Sequence, residues 1–189
     1  SSSLSQIPNL STSSIYNSYL DEVRIRFLEQ VTIEQKALYD RWIQEYSLKT
    51  VEDFTQLSML YWVNSNPKAS IYLDFEAVKR FPTSGLAANN LAVHLLKAGY
   101  PEKSLPILNY WLKEFPDNSL LLGNSATANY YLGNVEKAFQ LAKLTVEQDS
   151  LHPNANKILA FVHYLKGEKE PAKKSSERIL EGSYDEEVV

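Results

Sequence analysis

An all-α fold of about ten helices in five antiparallel pairs is what this sequence predicts, and three observations predict it. The first is an internal period: Gly99, Gly133 and Gly167 stand 34 residues apart, as do Phe81-Pro82 and Phe115-Pro116. The second is two columns of small residues in the same register, Ala92/Ala126/Ala160 and Ser70/Ser104/Ala138/Ala172. Two helices joined by a short turn approach closely only where one presents Ala, Ser or Gly, so these columns argue packing rather than chemistry. The third is the helical spacing of apolar residues within each period, broken by turn residues. Ala77, Trp111, Thr145 and Ile179 fall at one place in four frames, 51–84, 85–118, 119–152 and 153–186, with Thr145 the polar departure.

The elements follow in chain order. Residues 1–14 hold seven serines with Pro8 and Thr12, and read as a flexible leader. Such a stretch is the composition of a tether after a removed anchor signal, and equally of an arbitrary chain edge. From Ile15 the pattern turns helical, with Tyr19, Val23, Phe27 and Leu28 on one stripe. Thr32 with Gln35 forms a capping-box pattern that opens a helix through Ala37, Leu38, Trp42 and Tyr46. Lys36 occupies the small slot here, so 15–50 reads as a divergent pair at the N-terminal end of the array.

Thr50 with Asp53 opens the first frame in the same manner, and Asn66-Pro67 starts its second helix with a cap and a residue already at helical φ. In the second frame Leu86, Asn90-Leu91 and Leu95-Leu96 trace a stripe that ends at Gly99. Pro101 starts the next helix, which runs through Leu105, Leu108 and Leu112 until Phe115-Pro116 stops it. Asn134 is the corresponding cap of the third frame. The last helix is expected to reach about Leu180, followed by an acidic tail at 187–189.

A 34-residue helix–turn–helix unit with these alanine, glycine and proline columns resembles the tetratricopeptide repeat family. The third frame is nearest to it, from Asn124-Ser125-Ala126 through Tyr130-Tyr131-Leu132-Gly133-Asn134 to Ala138. The fourth departs from it, with Pro171 early in its second helix and Tyr184 in place of the terminal proline. The resemblance covers 51–186, about 70% of the chain. It implies a short right-handed solenoid of helical hairpins in which the first helix of each pair lines a concave groove.

On the matching residues that groove is lined by Thr55, Met59, Trp62, Asn89, Val93 and Leu96, then Thr127, Tyr130, Lys157, Phe161 and Tyr164. Trp62, Tyr130, Phe161 and Tyr164 would give it an aromatic lining, which suits an extended peptide or an amphipathic helix. The alternative is that these rings pack between adjacent repeats. The carboxylate clamp known in this family needs cations, and its matching slots here are Thr55, Met59, Asn90, Leu120 and Asn124. A carboxylate there would lack charge-assisted partners, so that clamp is absent.

Composition narrows the remaining possibilities. Hydrophobic residues make up 44% of the 189 and charged residues 22%, enough to bury a core. A net charge of −4 and a pI near 5.5 disfavour a nucleic-acid partner bound through phosphates. With no cysteine there is no disulfide scaffold, thiol nucleophile or cysteine zinc site. No apolar run approaches a membrane span, so a soluble chain is expected, cytoplasmic or exported. A start at Ser1 rather than Met points to processing or excision from something longer.

Neither a metal nor another cofactor is expected. His94, His152 and His163 sit in no HExxH, and His152 falls in a loop before Pro153. The sequence has neither a phosphate-binding glycine loop nor a GxSxG elbow, and Asp21-Glu22 and Glu186-Glu187 read as solvated. Lys166, Lys169, Lys173, Lys174 and Arg178 read as a solvated basic face or a dock for an acidic partner. Ile179 and Leu180 have no capping helix after them, which leaves this edge open to a homodimer.

The sequence is therefore read as a non-enzymatic protein–protein interaction scaffold that binds a peptide or helix in its groove. The rival reading is a structural module that assembles through its end faces. Ligand binding on the aromatic lining is a third.

Overall fold

A computed structural model describes residues 7–185, so the start of the serine-rich leader (1–6) and the acidic 187–189 tail lie outside the described residues. Among the described residues there are ten α-helices and no strand. They are α1 (Ser13–Leu28), α2 (Ile33–Glu45), α3 (Val51–Val63), α4 (Pro67–Arg80) and α5 (Gly85–Lys97). Then come α6 (Pro101–Glu114), α7 (Ser119–Tyr131), α8 (Val135–Gln148), α9 (Pro153–Leu165) and α10 (Lys169–Asp185). The chain divides into two compact units, Asn9–Ile107 and the part from Leu108 onward.

The helix starts are set by side-chain caps. Thr32/Gln35 and Thr50/Asp53 both close reciprocal capping boxes, and Asn66 accepts from the Ala69 N–H with Pro67 in the first turn. Ser84 and Asn118 cap α5 and α7 by the same hydrogen bond. Asn134 holds the N-cap position of α8 without capping it. Its amide donates instead to Asn129 Oδ1 at 3.2 Å, tying α8 back to the end of α7.

The helix ends explain the glycine column. Gly99, Gly133 and Gly167 all have φ between +76° and +88°, and the hydrogen bonds around them form Schellman motifs. At Gly133, its own N–H donates to Tyr130 O while Asn134 N–H donates to Asn129 O. Ser65, one period before Gly99, takes the same conformation at φ +59° with the same two bonds, to Trp62 O and from Asn66 to Tyr61 O.

In the Asn9–Ile107 unit α4 is the central helix, buried from Ala69 to Val78 and packed on α2, α3 and α5. Phe54, Leu73, Leu91 and Ile107 are fully enclosed. In the other unit α7, α8 and α9 pack around Ala126, Ala138, Ala142, Ala155 and Leu159, and α10 packs on α9. Both small columns are fully buried at Ser70, Ala92, Ser104, Ala126 and Ala138. Ala160 and Ala172, in the final pair, are only half-buried.

The N-terminal region differs from its expected pattern. The helix begins at Ser13, capped by Thr12, and Leu10 is 3% exposed, so the end of the serine-rich stretch is packed rather than free. The buried stripe of α1 is Tyr16, Leu20, Val23 and Phe27, while Tyr19 sits at its margin. In α2 the buried residues are Tyr39 and Ile43, and Leu38 and Tyr46 are exposed. The cause is aromatic: Tyr39 packs on Tyr72 with ring centroids 5.3 Å apart, which turns the α2 stripe by one residue. At the other end α10 continues past Leu180 to Asp185, with Pro171 accommodated in its first turn.

Candidate partner-binding surfaces

Within the Asn9–Ile107 unit the expected groove residues separate by burial. Asn89 and Leu96 are buried, so they belong to the packing of α5 rather than to a surface. Val93 is half-buried, and Met59, 56% exposed, stands on α3. Thr55 is held against α5, its Oγ1 accepting from the Asn90 amide at 2.7 Å. Trp62 is half-buried and lies flat on the His94 ring, centroids 4.8 Å apart and planes 16° from parallel.

Beneath Trp62 is a buried polar cluster assembled from three different helices. His94 Nδ1 is 2.5 Å from Asp74 Oδ2 and 3.1 Å from Ser70 Oγ, and Ser58 also hydrogen-bonds the Asp74 carboxyl. Asp74 is 1% exposed. Burial pushes its carboxyl pKa up, opposed by the hydrogen bond and charge of His94 and by Ser58. Serine, histidine and aspartate meet here, but both partners address the same ring nitrogen. A nucleophile relay needs the hydroxyl and the carboxylate on opposite nitrogens, so this cluster joins α4 to α5 rather than activating Ser70. Position 74 is 20 residues from 94 on another helix, a separation that spacing along the chain does not reveal.

In the unit from Leu108 onward, α7 and α9 bring Thr127, Tyr130, Lys157 and Phe161 to one cavity of about 200 Å3, which Tyr131 and Asn154 also line. Phe161 meets Tyr130 edge-to-face, centroids 5.7 Å apart at 87°. Phe161 is 43% exposed and Tyr164, one turn further along α9, is 75% exposed and outside the cavity. Tyr130 and Phe161 thus pack together and also line a shared open surface. Tyr131, exposed beside them, extends that surface and was missed because the repeat register places it off the groove.

The remaining histidines have structural partners. His152 caps α9, its Nδ1 accepting from the Ala155 N–H at 3.3 Å, and burial lowers its pKa. Its ring fills the space above Gly123, where a Cβ would come within 2.4 Å of Nε2. His163 pairs with Glu168 and meets the Phe139 ring edge-on. Of the basic stretch, Lys173 pairs with Glu177 and Lys166 lies 4.2 Å from the Phe139 centroid. Among the described residues no group of His, Cys, Asp or Glu is arranged to hold a metal ion. No described helix is long and apolar enough to cross a membrane.

No family model matches this sequence, and no curated protein matches it either. Solved structures do. A thermophilic TPR protein of Thermus thermophilus, TTC0263, superposes with a TM-score of 0.61 at 19% identity, over 69% of this chain and 73% of that one. MamA of Desulfovibrio magneticus RS-1, from residue 41 to its end, gives 0.59 at 15% identity over 92% and 96%. A further MamA structure gives 0.59 at 16% identity over 80% and 88%. These likenesses define the class: an all-α protein of stacked helical hairpins. The particular fold is that of the tetratricopeptide repeat.

Proposed function

We propose that this protein is a non-enzymatic interaction scaffold that binds a peptide or an amphipathic helix of a partner on the α7/α9 surface. The observation that carries this reading is the cluster of Tyr130, Tyr131 and Phe161 around the cavity between those helices, with Tyr164 exposed one turn further along α9. Rings with two rotatable bonds bury much area for little entropy, which is what an anchor for a partner chain requires. Lys157 and Asn154 at the rim add hydrogen-bond donors for a peptide backbone. The fold supports the reading at the level of class.

The test is selection of binders from a displayed random-peptide library on the whole chain, followed by affinity measurement on the double variant Tyr130→Ala/Tyr164→Ala. A hot-spot pair contributes roughly 2 kcal/mol or more, so affinity should fall about thirtyfold. Undiminished binding would place the partner elsewhere.

A second reading, assembly of a homodimer through the last helix, is favoured by the exposure of Leu180 on α10. Light scattering over a concentration series separates the two. A mass of 21.5 kDa throughout leaves the α7/α9 surface free, whereas a doubled mass that Leu180→Glu abolishes supports the end face.

A further inference from the structure

The structure assigns a second binding site to the Asn9–Ile107 unit, at the turn end of its hairpins. It is a cavity of about 580 Å3 in which Trp62, Lys68 and Lys97 are placed to take an acidic segment of a partner protein, one that sets an aromatic side chain beside a carboxylate. Its walls come from the end of α1, the α3–α4 turn, and the end of α5 with the following Tyr100. None of the slots of the family's carboxylate clamp lines it.

The aromatic half of the preference follows from how Trp62 is held. The indole lies on His94, and His94 is locked by Asp74 and Ser70 in the buried cluster. A ring fixed in this way offers a stacking surface whose ordering entropy has already been spent in folding. Phe27, Ile71 and Tyr100 supply the apolar remainder, and the volume lies within the range of ligand-binding cavities, roughly 300–1,000 Å3.

The anionic half follows from charge. Lys68 and Lys97 both line the cavity, and no carboxylate side chain does. Lys97 Nζ lies 5.9 Å from the Trp62 ring centroid. Lys68 Nζ donates to the Gln30 carbonyl at 2.8 Å, so it is held at the rim by a neutral acceptor and keeps its charge for a ligand. A carboxylate entering beside a ring stacked on Trp62 gains charge-assisted hydrogen bonds from both ammonium groups. The cavity opens between chain turns and exceeds what one aromatic side chain fills, which leaves room for the flanking backbone of a peptide.

The test is shift mapping in 1H–15N spectra of the full chain titrated with N-acetyl-Phe-Asp-amide, with N-acetyl-Phe-Asn-amide as its neutral counterpart. The Asp peptide should give saturable shifts at the Trp62 indole N–H, Lys97 and Tyr100. Its affinity should drop about fivefold or more in Lys68→Gln/Lys97→Gln and with the Asn peptide, since the charge-assisted bonds are lost in both. Tyr130→Ala should leave it unchanged, and a thermal melt checks that the lysine variant stays folded. Equal binding of the two peptides, shifts confined to other residues, or no shift at about 10 mM peptide would each overturn the assignment.

Discussion

Ser65, Gly99, Gly133 and Gly167 close four successive hairpins with one backbone geometry, and only Ser65 carries a Cβ into the left-handed region. That conformation costs an L-residue about 1–2 kcal/mol, part of which glycine returns through its greater freedom when unfolded. Ser65→Gly should therefore stabilise the chain by about 0.5–1 kcal/mol. Gly133→Ala should destabilise it by about 1 kcal/mol, because nothing lies within 4 Å of the added methyl and only the backbone objects. Denaturant midpoints read both.

His152 gives the opposite kind of prediction, in which space rather than φ decides. Gly123→Ala drives a Cβ into the imidazole and should cost about 1–3 kcal/mol, most of it recovered in the double variant with His152→Asn, which keeps the cap. Because burial lowers the His152 pKa below its ordinary 6.5, the unfolded chain takes up a proton that the folded one refuses. Its contribution to stability is complete above pH 6.5 and declines as the pH falls from there toward the lowered value. The His152 part of this slope should be lost in His152→Asn, as urea titrations of both chains between about pH 7.5 and 5.5 will show.

At the scale of elements, the α4–α5 pair rests on a buried hydrogen-bonded cluster as well as on apolar packing. Asp74→Ala leaves His94 and Ser58 without their shared buried acceptor, and should cost about 1–3 kcal/mol. The paired change Asp74→Leu/His94→Leu should cost clearly less than the sum of the two single changes, which a double-mutant cycle measures. The elements themselves were largely legible in the sequence, since caps and turns are local: Thr32/Gln35, Thr50/Asp53 and Asn66-Pro67 act where the spacing puts them. What was not legible depends on which side chains meet, near or far along the chain. The α2 stripe turns by one residue because Tyr39 meets Tyr72, and Asn134 fails as a cap because Asn129 engages its amide. His152 caps a helix, although histidine is not among the favoured capping residues.

At the scale of the whole molecule, the 34-residue period was enough to anticipate the fold of the tetratricopeptide repeat, because each hairpin repeats the same crossing and the same turn. The candidate surfaces were only half legible. The repeat register brought Thr127, Tyr130, Lys157 and Phe161 together at one cavity, but it also named Asn89 and Leu96, which face the interior. Register tells which turn of a helix faces a neighbour. Whether a large residue there is covered depends on what the next helix presents, and Trp62 on His94 is such a case.

Docking of a partner segment on α7 and α9 is read by amide hydrogen exchange of the whole chain with and without a library-selected peptide. Slowed exchange over Ser119–Tyr131 and Pro153–Leu165 is the predicted result. Protection confined to α10, or to none of these helices while the peptide is bound, would exclude docking on α7 and α9.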